Sequence, residues 1–203
     1  GVKARMGAML KWLEDVKPDI VCLQEIKVVD GEFPRLEIEA MGYNVEYFGQ
    51  KTHYGVAILS KYPFKKVIKG FPDDNEVAQR RFIGGVFDTP IGEVTLLNGY
   101  FPQGESRDHA VKFPAKRKFY ADLINYLKDA EHTGKQVILM GDMNISHQDI
   151  DIGIGEENRK RWLRTRTATC TGRSPGATSS RTTHCANAGT ACLSRMSCSF
   201  SFC

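Results

Sequence analysis

Apolar residues recur at intervals of three and four over positions 4–16, where Met6, Met9, Leu10, Leu13 and Val16 share one face. This period predicts an amphipathic helix, closed by Pro18. DIVCLQ (19–24) is then a short apolar run that predicts a buried strand delivering Gln24 and Glu25 to its carboxyl end. GYNVEYF (42–48), GVAILS (55–60) and the runs at 82–87 and 94–98 are separated by Gly, Pro or charged turns, and predict successive antiparallel strands. A helical period returns over 113–128, with Phe119, Leu123 and Tyr126 or Leu127 on one side. A last apolar strand, 136–140, runs into Gly141, Asp142, Met143 and Asn144. If the chain stays extended past Gly141, Asp142 and Asn144 face one small volume, because side chains alternate along a strand. An Asx turn made by the same residues is the competing reading. Strand runs interrupted by two helices predict a layered α/β or α+β sandwich, and 203 residues suffice for one such domain.

Beyond about residue 165 the pattern collapses. Of the 39 residues at 165–203, 32 are Ser, Thr, Arg, Gly, Ala or Cys, and none is Asp, Glu or Lys. Such a segment cannot bury a core of its own. Five cysteines and no lysine fit a shifted reading frame better than a flexible basic tail. The expected division is therefore a folded unit at 1–164 and a low-complexity tail at 165–203. Net charge is +4, and Arg166, Arg173, Arg181 and Arg195 of the tail supply it, so the body is neutral and any nucleic-acid affinity rests on a local patch. The body holds one cysteine, Cys22, which points to a cytosolic setting, and the tail cysteines lack a CxxC spacing for zinc. No run resembles a membrane span or a secretory leader.

Three strand ends offer polar groups: Gln24 with Glu25, Asn98 with Tyr100, and Asp142 with Asn144. Carboxylates and amides without a His or Cys cluster select a hard divalent cation over zinc. That cation suits phosphate chemistry, with an acid to orient or deprotonate water and neutral donors to meet the charge that builds on the phosphate. Taken singly, each residue has a plain structural reading: Glu25 as an ion-pair partner of Lys27, Tyr100 as core, Asn98 as a turn residue. GIGEEN (153–158) lacks the strand and helix of a dinucleotide site and reads as a structural loop.

The strings LQEIK (23–27), HYGVAILSK (53–61), AQRR (78–81), NGYFPQGESRDH (98–109), KFPAK (112–116), MGDMNIS (140–146) and DIGIGEENRKRWLR (151–164) closely resemble the exonuclease III family. That family lies within the exonuclease, endonuclease and phosphatase superfamily, which includes apurinic/apyrimidinic endonucleases. The resemblance implies a four-layered α/β sandwich of the DNase I-like kind. It also implies a magnesium-dependent phosphodiesterase, with manganese as the alternative metal, acting as a monomer on double-stranded DNA in the bacterial cytoplasm. Such enzymes remove nucleotides from 3′ ends and nick the backbone at abasic sites during repair. By matching positions, Glu25 corresponds to the metal-binding glutamate and Tyr100 to the tyrosine that contacts the scissile phosphate. Asp142 corresponds to the aspartate that activates water, and Asn144 to the asparagine that supports the transition state. Arg81, Gln103 and Lys112 fall where the family contacts DNA.

Two parts of the family pattern have no counterpart here. A first strand carrying an Asn would precede Gly1, and a second half with an Asp and Asn pair and a closing SDH motif would follow Arg164. The tail holds no aspartate, so His184 does not match the SDH histidine. Only about half of the catalytic set is therefore expected, with apolar faces left uncovered and negligible cleavage of an abasic duplex. The alternatives are a DNA-binding remnant that grips backbone through Arg80, Arg81, Lys112, Lys116 and Arg117, and a phosphoesterase acting on small molecules or lipid headgroups.

Overall fold

The computed structural model describes residues 1–128, 136–145 and 199–200. The GIGEEN string and most of the tail fall outside the described residues. Two sheets face each other. The first is built from β1 (Ile20–Gln24), β2 (Asn44–Phe48), β3 (Val56–Ser60) and the two-residue β8 (Ser199–Phe200), in the order β2-β3-β1-β8. The second is built from β4 (Lys66–Lys69), β5 (Phe82–Thr89), β6 (Gly92–Tyr100) and β7 (Gln136–Asp142), in the order β4-β5-β6-β7. Ile20, Cys22, Val56 and Ile58 from one sheet meet Ile83, Phe87 and Leu96 from the other to form the central core.

Helices cover both outer faces. Met9 and Leu13 of α1 (Met6–Val16), with Ile38 of α2 (Arg35–Glu39), pack on Val21, Leu23, Val45 and Leu59. Phe119 and Leu123 of α3 (Lys112–Lys128) pack on Phe82, Leu97 and Phe101. The result is the four-layered α/β sandwich that the motifs imply. β1 is buried on both faces, between α1 and the second sheet, which is why DIVCLQ is continuously apolar instead of alternating.

Some boundaries and elements differ from the sequence expectation. α1 starts at Met6 after a single 3-10 turn at Lys3–Arg5, and the short α2 and β4 carry too few periodic residues to announce themselves. The expected run of antiparallel strands splits: β2 pairs β3 in one sheet and β5 pairs β6 in the other. β6 and β7 are parallel, and α3 makes the crossover that such a pair requires. β7 also continues two residues past Met140, to Asp142. Of the tail, Ser199 and Phe200 are described, lying parallel to β1 beside Cys22 and Leu23.

Candidate active site

Three neighbouring strands bring their carboxyl ends together. The parallel register of β6 and β7 sets Tyr100 beside Asp142, and the Phe101 amide donates to the Asp142 carbonyl at 2.9 Å. Gly141 makes this closeness feasible. Its φ is +134°, and a Cβ there would stand 1.9 Å from the Gly99 carbonyl oxygen of β6. From the facing sheet, Glu25 follows β1 with φ 57°, a left-handed conformation that a non-glycine residue holds only when its surroundings fix it. Its Oε1 accepts from Tyr100 Oη at 3.1 Å and pairs with Lys27 Nζ at 3.1 Å. Burial, then the Glu25 carboxylate, pushes the Tyr100 hydroxyl up to about 12, so the phenol stays protonated at neutral pH.

Asp142 and Asn144 satisfy both readings of their segment at once. Extension ends at Asp142, and Asn144 turns left-handed at φ 48°. The Asn144 amide donates to Asp142 Oδ1 at 3.0 Å, which is the Asx turn. Asn144 Nδ2 reaches Asp142 Oδ2 at 3.3 Å and the Phe101 carbonyl at 2.8 Å, so the turn itself brings the amide and the carboxylate together.

The three residues matched to DNA contacts have different surroundings. Arg81 is only 9% exposed. Its guanidinium lies 3.9 Å from the Tyr54 ring centroid and 4.8 Å from that of Tyr100, donating to Gln79 Oε1 at 2.6 Å and the Tyr100 carbonyl at 3.0 Å. Burial pulls its basicity down. Gln103 and Lys112 are exposed, and Lys112 Nζ pairs with Glu105. Two of the basic residues named for a backbone grip are otherwise engaged: Arg80 Nη1 ties Asp30 Oδ2 at 2.9 Å and the Gly49 carbonyl at 2.6 Å, and Lys116 is 2% exposed.

Tyr54, its ring under the Arg81 guanidinium, shapes the site without a sequence signal of its own. Gln24 Oε1 is the buried side-chain oxygen without a hydrogen-bond partner among the described residues. No group of three or more His, Cys, Asp or Glu gathers among the described residues. Beside the Glu25 carboxylate stand the Tyr100 hydroxyl and the Lys27 ammonium, and a carboxylate of this kind suits magnesium, which keeps several waters and takes one or two carboxylates plus substrate phosphate.

The sequence profile of the Endonuclease/Exonuclease/phosphatase family matches residues 1–196. The chain belongs to this family. Among family relatives, it is 54% identical over 165 residues to the Exodeoxyribonuclease III of Haemophilus influenzae, a match covering 81% of this chain and 62% of that protein. A 3′ phosphatase (NExo) from Neisseria, solved with a product DNA hairpin, superposes with a TM-score of 0.70 at 28% identity, covering 83% of this chain and 67% of that one. An AP endonuclease from Archaeoglobus fulgidus gives 0.68 at 27% identity, covering 81% and 66%. The chain thus spans about three fifths of the Haemophilus relative.

Proposed function

We propose that the site performs magnesium-dependent hydrolysis of phosphodiesters in duplex DNA, at abasic sites and 3′ ends, in the bacterial cytoplasm. The observation that carries this reading is the meeting of Glu25, Tyr100 and the Asp142–Asn144 turn at three adjoining strand ends. Phosphodiester chemistry needs a cation ligand, a neutral donor and a base around one small volume, and these residues supply that set. The names of the relatives add the substrate class.

Glu25 would hold the hydrated magnesium, which supplies Lewis-acid stabilisation of the phosphate oxygens. Asp142 orients and deprotonates the attacking water, its carboxylate already fixed by two donors from Asn144. Tyr100, held protonated, donates to a phosphate oxygen. Exposed Gln103 and Lys112 meet the duplex, and Arg81 acts from behind Tyr100.

A synthetic duplex with one abasic site, incubated with excess protein and magnesium, tests the reading. We expect nicking that is negligible beside that of the Haemophilus relative, since about half of the expected catalytic set is found among the described residues, and that disappears with Glu25→Gln or Asp142→Asn. Magnesium should raise the melting temperature of the parent chain and not of Glu25→Gln. Duplex binding that is indifferent to magnesium and to both substitutions, with no nicking, would favour the DNA-binding remnant and sink the catalytic reading.

A further inference from the structure

Lys116 is nearly inaccessible on the inner face of α3, where lysine is rarely found without a reason. Its Nζ donates to the Asn144 carbonyl at 2.8 Å and to the Gln103 carbonyl at 3.3 Å. One helical turn on, Tyr120 Oη donates to the Met143 carbonyl at 2.9 Å. Residues four apart on a helix share a face, so α3 grips two consecutive carbonyls of the turn that follows β7. The loop after Tyr100 is fitted to the same lysine: at Gly104 (φ +81°) a Cβ would stand 2.8 Å from Lys116 Cδ.

The gripped turn is the one that needs holding. Asn144 sits in a left-handed conformation, and both its amide and its side chain must meet Asp142. A buried ammonium is costly where an apolar side chain would pack, and here it faces backbone carbonyls from two site loops. Its position rules out a grip on DNA backbone.

We propose that Lys116 and Tyr120 are positioning residues of the site. Together they set the turn that presents Asp142 and Asn144, and Lys116 locks that turn to the loop behind Tyr100. This rests on the site being the phosphodiesterase centre described above.

Two measurements on the full chain separate the clamp from that reading. In Lys116→Met we expect the Asn144 backbone amide to exchange with solvent at least about tenfold faster, while amides in the middle of β5 and β6 keep their rates. Single-turnover nicking of the abasic duplex should fall by about tenfold or more with the duplex Kd nearly unchanged, because misplacing a group costs rate before affinity. Tyr120→Phe, which keeps the ring packed 4.9 Å from Phe101, should shift both in the same direction by less. Lys118→Met, on the exposed face, should shift neither. If Lys116→Met fails to fold, Tyr120→Phe decides. Unchanged exchange at Asn144 overturns the clamp whatever the cleavage does, and so does a loss of cleavage matched by loss of duplex affinity. A parent chain that never nicks would defeat the nuclease reading, leaving the clamp to stand or fall on Asn144 exchange.

Discussion

Asn98 on β6 accepts a 2.8 Å hydrogen bond from Gln24 Nε2 on β1, joining the two sheets one residue before Glu25. Asn98 Nδ2 donates to the Leu23 carbonyl at 3.0 Å and to the Ala57 carbonyl at 2.9 Å, on paired residues of β1 and β3. With its amide nitrogen committed to carbonyls, Asn98 Oδ1 has to accept. Gln24 then has to donate, which fixes where its oxygen is left. The orphaned Gln24 Oε1 is therefore a consequence of the inter-sheet joint.

Replacing Asn98 by Leu keeps the volume and removes three hydrogen bonds between the sheets, leaving Gln24 Nε2 with the Cys22 carbonyl at 3.2 Å. Each such bond contributes about 0.5–1.5 kcal/mol net, so the loss of three should destabilise the fold by about 2–4 kcal/mol. Urea unfolding checks this; a loss below about 1 kcal/mol would mean that the joint does not hold the sheets.

The raised Tyr100 pKa has a definite sign. A group that binds its proton more tightly when folded contributes stability that is complete below its unfolded value, near pH 10, and is lost as pH rises towards about 12. In metal-free buffer, absorbance titration should show one tyrosine ionising near pH 12 that vanishes in Tyr100→Phe. Glu25→Gln should move that step down, since the carboxylate is one of its causes, and magnesium bound at Glu25 should do the same. A step indifferent to Glu25 would leave burial, with the Asp142 carboxylate, as its cause.

How much of this was readable beforehand depends on the range of each interaction. Strand and helix periods are local, so α1, β1, α3 and β7 could be drawn from spacing. The strand end at 141–144 offered a turn or a site as rivals, and the structure shows the Asx turn to be the means by which Asp142 and Asn144 meet. The resemblance marked Tyr100, Glu25, Asp142 and Asn144, but not what surrounds them. Asn98 offered a strand-end polar group or a turn residue and is a buried strut near the end of β6, because its three partners come from β1 and β3, at least 41 residues away in sequence. Lys116 and Arg81 looked like surface cations for the same reason: what buries them lies in distant segments.

Arg81 and Lys112 should part company in DNA binding. Lys112 is exposed on α3, so Lys112→Ala should weaken duplex affinity and reduce the salt slope by about one counterion. Arg81→Met should leave the slope unchanged and slow cleavage, since the guanidinium braces Tyr54 and Tyr100. Affinity against salt concentration, measured by fluorescence anisotropy, tells them apart; a lowered slope in Arg81→Met would put its guanidinium on phosphate.

One substitution at two glycines should give opposite signs. At Gly141 an alanine Cβ would meet the Gly99 carbonyl oxygen at 1.9 Å, a backbone atom that no side-chain rotation can withdraw, and φ +134° is hostile to any L side chain. Gly141→Ala should therefore pry β7 from β6 beside Asp142, costing about 3 kcal/mol and lowering Tm by roughly 6–12 °C. Gly7 lies in α1 with nothing within 4 Å of the added methyl, so Gly7→Ala removes only the helix penalty of glycine. It should stabilise by about 0.5–1 kcal/mol and raise Tm by a few degrees. Differential scanning calorimetry of both variants reads the contrast. Equal and small effects would show that β6 and β7 do not close on each other at Gly99 and Gly141, and the placement of Tyr100 beside Asp142 would fall with them.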